Sequence, residues 1–230
     1  MPDQSLYNTD TILELLQLEA LGNDHFCGQS HFMGSPRVFG GQVLGQSLYA
    51  AASTLLSTDR RVHSMHALFI LAGNHRLPID YEVERVRDGG SFSTRRVVAS
   101  QEGRRIFVMS ASFQQPEEGL SHQKAAPPSV NPNNLVSSAA SLQKEKASSR
   151  GREPQPTPVE FRTEDAGGLY DSRSNQSGKQ FWVRAPQPLP DNPLLHEALF
   201  AYVSDYGLLW TALQSHDIRI GDPRLQIASL

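Results

Sequence analysis

The chain has 230 residues, 38% of them hydrophobic, and a formal net charge of −3. That length suits one large domain or two small ones, and the charge excludes the broad basic footprint of a nucleic-acid binder. No apolar run reaches the roughly 18 residues of a membrane span. The start, MPDQSLYNTD, is acidic and polar, unlike a secretion signal. The one cysteine, Cys27, excludes an internal disulfide and a cysteine-built zinc cluster, and it fits a reducing compartment.

In chain order, 9–21 reads as a short amphipathic helix. Ile12, Leu15, Leu16 and Leu18 give its stripe, and Thr9 or Asp10 its cap. The segment 25–33 reads as an edge strand. Gly40 and Gly41 allow a close backbone approach or a sharp turn. A helix over 42–56 follows, with Val43, Leu44, Leu48, Ala51, Ala52 and Leu55 at helical spacing. Its small residues Gly45, Ser47, Ala50 and Ala51 suit a rod that a sheet approaches closely. Four strands are predicted next, over 62–71, 79–87, 91–100 and 105–114. Asp88-Gly89-Gly90 and Glu102-Gly103 have the chemistry of tight hairpins with glycine at positive φ.

The stretch 116–178 is poor in apolar residues and rich in proline and serine. It reads as a linker or long surface excursion holding a short strand at 159–162. A connection of that length implies a second unit. Structure resumes with a strand at 180–184, a helix over 193–213 and a strand from 225. The expected division is an N-terminal unit 1–115, the excursion 116–178 and a partial second unit 179–230. Strand, helix, strand repeats the order of the first block.

The blocks VFGGQVLGQSLYAA, VHSMHALFILAG, ERVRDGGSFSTRRVVASQEGRRIF and SASFQ, then FWVRA, AYVSDYGLL, TALQSH and QIASL, occur in order. Together they resemble the acyl-CoA thioesterase II family. The resemblance implies an α+β double hotdog: two copies of a long helix wrapped by an antiparallel sheet, the second here incomplete. It implies hydrolysis of fatty acyl-CoA to free acid and CoA with no metal or redox cofactor. The family's catalytic set is an aspartate, a threonine or serine, and a glutamine. Ser204-Asp205-Tyr206 matches the aspartate motif, and Ser229 follows Gln226-Ile227-Ala228 at the hydroxyl position. The glutamine falls in strands beyond Leu230, so the resemblance implies that about the last fifth is missing. On that expectation the chain is a truncated form with impaired activity. The apolar stripe of its second helix would lack cover.

Thioester hydrolysis needs an oriented water, a proton acceptor and oxyanion donors. Asp205 would orient or deprotonate the water, and Ser229 would hold the same water. The helix N-terminus at Gly40, Gly41 and Gln42 would meet the substrate, or equally the glycine pair would be only a close-packing device. Paired arginines, Arg95-Arg96 and Arg104-Arg105, could meet CoA phosphates, though exposed strand faces are the favoured explanation. His63 and His66, three apart on a strand, point to opposite faces and share no ion. Ser47 lies inside a helix in G-Q-S-L-Y and forms no nucleophile elbow, and no base is placed near Cys27. The competing readings are a non-catalytic acyl-CoA-binding or oligomerisation module, and a hotdog enoyl-CoA hydratase. The hydratase wants an Asp/His pair on the first helix, and 42–56 has neither. A homo-oligomer in the cytoplasm is expected, or in the peroxisome if the source is eukaryotic.

Overall fold

The computed structural model describes residues 9–33, 35–126, 128, 130–137, 157–164, 180–213, 216 and 224. Helix α1 is Thr9–Leu16. It stops five residues short of expectation because Glu19–Gly22 leaves it to pair as β1 with β2, His25–Gly28. The turn between them places Gly22, Asn23 and Asp24 at φ of 86°, 51° and 59°, a region that glycine and short polar side chains tolerate. Two guanidinium N–H groups of Arg85 donate to the Asp24 carboxylate at 2.6 and 2.7 Å and pin that turn.

Helix α2, Gly40–Ser53, starts two residues earlier than expected. Strands β3 (Arg61–Phe69), β4 (Ile79–Asp88), β5 (Phe92–Gln101) and β6 (Arg104–Gln114) follow. They join β1 and β2 in one antiparallel sheet of order β1-β2-β4-β5-β6-β3. The segment expected at the sheet edge, β2, is therefore one strand in from it. The alternation read from sequence sets the inner face. Ile79, Tyr81 and Val83, Val97 and Ala99, and Phe107, Met109, Ala111 and Phe113 are all buried against α2. Removing apolar area of this kind from water is worth about 25 cal/mol per Å².

The two hairpins differ. Glu102 and Gly103 take φ of 48° and 73°, as a two-residue turn requires. Gly89 and Gly90 do not use the left-handed region. Their loop is held by Arg60, which donates to the carbonyls of Gly89 (2.6 Å) and Gly90 (2.8 Å).

Arg95, read as a possible phosphate contact, is fully buried on the inner face. Its guanidinium donates to Thr54 Oγ1 (2.7 Å), the Thr54 carbonyl (3.2 Å), the Arg87 and Thr94 carbonyls (3.1 Å each) and Asp88 Oδ1 (2.7 Å). Thr54 caps the C-terminus of α2. A fixed cation there satisfies terminal carbonyls and complements the helix dipole. Arg96 is exposed and lies 3.5 Å from Glu84.

The remaining elements make a second cluster. Strands β7 (Val136–Ser137), β8 (Glu160–Thr163) and β9 (Phe181–Arg184) form a small antiparallel sheet. The strand expected at 159–162 is thus displaced by one residue. The helix expected over 193–213 is two helices, α3 (Pro193–Ser204) and α4 (Leu208–Leu213). The break is at Gly207, which takes φ of 90° and would crowd the Phe181 ring at 2.9 Å if it carried a β-carbon. Asn192 caps α3 by accepting from Leu194 N–H at 3.1 Å. The stripe of α3 is not bare as expected: Leu195, Ala198, Leu199, Tyr202 and Val203 are buried against α1, α2 and Phe161.

The Arg95 site predicts a pH-dependent stability. The Ser93 hydroxyl, then Arg95, hold the Asp88 carboxyl below its ordinary range. Asp88→Asn should cost about 2–3 kcal/mol at neutral pH, under the figure for a fully buried pair because Asp88 is 25% exposed. A depressed carboxylate stabilises above its unfolded pKa and loses that contribution as pH falls through the folded one. Urea midpoints of the two proteins should therefore converge as pH drops below 3.8.

Candidate active site

Helix α2 begins without help from its own neighbourhood. Its N-cap is Phe39, whose side chain makes no capping bond, and the first amides of a helix have no partner within it. The partner comes from α3. Asp205, the C-cap of α3, accepts the Gly41 N–H on Oδ2 at 2.8 Å across 164 residues of sequence. The positive end of the α2 dipole favours a carboxylate there.

Two glycines make the approach possible. A β-carbon on Gly41 would lie 2.2 Å from the Tyr202 carbonyl, and one on Gly45 would lie 2.8 Å from the Ala198 carbonyl and 2.5 Å from Leu16. Position 41 faces 202 while 45 faces 198, so the helices run antiparallel. This brings the end of α3 to the start of α2. A β-carbon on Gly40 would lie 2.8 Å from Asp205 Oδ2 and 3.0 Å from the Phe69 ring. Gly40 is thus the gap between the carboxylate and an aromatic wall. Further rings close the other side. Phe39 stands 4.7 Å from Tyr206 and 5.1 Å from Tyr202 between centroids, and Phe161 stands 5.2 Å from Tyr206. Burial pushes the Asp205 carboxyl above its ordinary value, and the Gly41 N–H offsets this only in part.

Of the residues singled out from sequence, Asp205, Gly40 and Gly41 meet at one point. Gln42 adjoins them, but its side chain is fully buried and donates to the Gln29 carbonyl at 3.0 Å. Ser229 lies outside the described residues. Phe69, whose ring walls the gap at Gly40, was not foreseen there. The only trace of a contact in the sequence was the Gly40-Gly41 pair, which shows that something comes close without naming it. Burial also raises the thiol pKa of Cys27, followed by the nearby Asp80 and Glu19. Among the described residues no group of three metal-ligating side chains stands together, and no helix is long and apolar enough to cross a membrane.

Comparison with known proteins fixes the family. The model of the acyl-CoA thioesterase N-terminal domain matches residues 29–114, and that of acyl-CoA thioesterase matches 154–230. Acyl-coenzyme A thioesterase 8 of Homo sapiens is 36% identical over 217 residues, covering 89% of this chain and 68% of that protein. The chain belongs to the acyl-CoA thioesterase II family. The activity that goes with this family is hydrolysis of an acyl-CoA thioester. Acyl-CoA thioesterase 2 of Haemophilus influenzae is 31% identical, over 96% of this chain and 78% of its own length. The crystal structure of the acyl-CoA thioesterase II TesB2 from Mycobacterium marinum superposes with a TM-score of 0.69 at 36% identity, covering 90% of this chain and 71% of that one. A tesB protein of Mycobacterium avium subs paratuberculosis gives 0.71 at 27%, over 90% and 73%. The fold is therefore that of the hotdog thioesterases.

The close contacts predict opposite outcomes for neighbouring glycines. Gly41→Ala drives a methyl into backbone and should destabilise by about 3 kcal/mol, seen in the urea midpoint. Gly40→Ala meets two side chains that can move. It should cost about 1 kcal/mol or less while displacing Asp205, so thioesterase activity should fall more than stability.

Proposed function

We propose that this chain hydrolyses fatty acyl-CoA to free fatty acid and CoA with Asp205 as the general base. The observation that carries the reading is the Asp205 carboxylate, half-buried and hydrogen-bonded to the α2 N-terminus at 2.8 Å. The relatives named above as acyl-CoA thioesterases support the substrate class. Asp205 takes a proton from a water, and the water oxygen attacks the thioester carbonyl carbon. The carbonyl π electrons move onto oxygen, then return as the C–S bond breaks. CoA thiolate leaves and takes up the proton that Asp205 had accepted, which returns Asp205 to its ionised form. The Gly40 N–H, first amide of α2 and free of any intrahelical acceptor, would donate to the carbonyl oxygen. An oxyanion donor is worth about 10²–10³ in rate. Ser229 would hold the attacking water through its hydroxyl.

Gln42 serves the substrate end of α2 through its place in the core, not by touching the ligand. The division into units 1–115, 116–178 and 179–230 belongs to the same proposal, as does a cytoplasmic setting. So does self-association, which the 76% exposed Phe200 and 52% exposed Leu208 support. A sedimenting mass of one chain would contradict it.

Asp205→Asn tests the mechanism. With palmitoyl-CoA and a thiol reagent, kcat should fall about 10²–10⁴-fold. An unaltered rate would sink the proposal. The base works ionised, so activity should decline as pH falls through a value above 3.8. A carboxyl whose folded pKa is raised stabilises below its unfolded pKa and loses that contribution as pH rises through the folded one. Asp205→Asn should therefore raise the neutral-pH Tm while lowering kcat.

A further inference from the structure

Beneath the first two turns of α2 lies a buried polar cluster that the mechanism above leaves unused. Gln42 and Gln46 sit four apart on one helix face and are fully buried, as is Tyr81 of β4. Gln46 Nε2 donates to the Leu15 carbonyl (2.7 Å) and the Gln29 carbonyl (3.0 Å). Gln42 Nε2 donates to the same Gln29 carbonyl (3.0 Å) and to Gln46 Oε1 (3.2 Å). Tyr81 Oη donates to Gln46 Oε1 (2.6 Å), and the His31 N–H donates to Gln42 Oε1 (3.3 Å). Both amides thus use both N–H bonds, and both oxygens are engaged. Burial keeps the Tyr81 phenol protonated and so a donor. A β-carbon on Gly28 would lie 2.7 Å from Gln46 Nε2, so the neighbouring strand is shaped to this cluster.

An apolar helix face would fill the same space without the cost of burying four amide ends. The cluster instead ties α2 to the backbone of α1, to the backbone of the segment after β2, and to β4. Gln42 is the residue after Gly41. A network with every member satisfied fixes one arrangement, and a shift of an ångström in a reacting group costs about 10²-fold in rate. We propose that Gln42, Gln46 and Tyr81 are positioning residues for the thioesterase reaction: they lock the first turn of α2 where its Gly41 amide meets Asp205. This rests on the reading of Asp205 as the base.

The test compares Tyr81→Phe and Gln46→Leu with the parent by amide hydrogen exchange, and by kcat and KM for palmitoyl-CoA. Tyr81→Phe removes one hydroxyl and keeps the ring, so it guards against a Gln46→Leu chain that does not fold. In Tyr81→Phe the Gly41 amide should exchange about 5–10-fold faster, with β5 and β6 amides unchanged. Its kcat should drop by a similar factor at constant KM. The acid limb of the pH profile should move to higher pH, because a lost N–H donor raises the Asp205 pKa. An unaffected Gly41 amide, or acceleration spread evenly over β5 and β6, overturns the positioning role. Full activity in Asp205→Asn alongside a faster Gly41 amide would instead sink the base assignment, and with it the catalytic meaning of the network.

Discussion

The meeting of Asp205 with the Gly41 amide depends on how closely α2 and α3 can lie. Antiparallel helices normally keep side chains between them, at axis separations of about 8–10 Å. Gly41 and Gly45 remove those side chains along one stripe of α2, so backbone carbonyls of α3 sit where β-carbons would be. The contact gives α2 the N-cap that Phe39 does not provide. It also puts a carboxylate at the end of α3 against its own helix dipole, which the positive end of α2 offsets. Under the proposed mechanism, stability and chemistry share one bond.

The two ends of α2 are treated alike by opposite charges. A carboxylate from another helix meets the N-terminus, and the Arg95 guanidinium meets the C-terminus through Thr54. Both groups are drawn from distant sequence and both are largely sheltered from water. A buried cation with five hydrogen bonds is a structural fixture, and this is why Arg95 cannot reach a phosphate. A half-buried carboxylate with one hydrogen bond keeps acceptor capacity and a raised pKa, which suits proton transfer. The difference lies in how completely each group is satisfied.

The hotdog sheet was legible because its signal is local. Alternation in β4 and β6 states which residues face inward, and Glu102-Gly103 states where the chain reverses. The errors were also local in cause. β1 looked helical because Glu19-Ala20-Leu21 has helical propensity, and pairing with β2 overrode it. Arg95 looked exposed because an arginine on a strand usually is, and only its five acceptors make the inward rotamer affordable. The stripe of α3 looked uncovered because cover from α1, which is far away in sequence, leaves no mark near 193–204.

The residues by themselves determined the order of α2 and the four long strands after it, the inward faces of those strands, and the family through its ordered blocks. They also marked Asp205 by its motif and Gly40-Gly41 as a place of close approach. Tertiary structure alone decided that these meet at one point. The partners lie 164 residues apart, and periodicity and turn chemistry act only over a few residues. The break at Gly207, the Phe69 wall and the Gln42–Gln46–Tyr81 lock follow the same rule: each is defined by what packs against it.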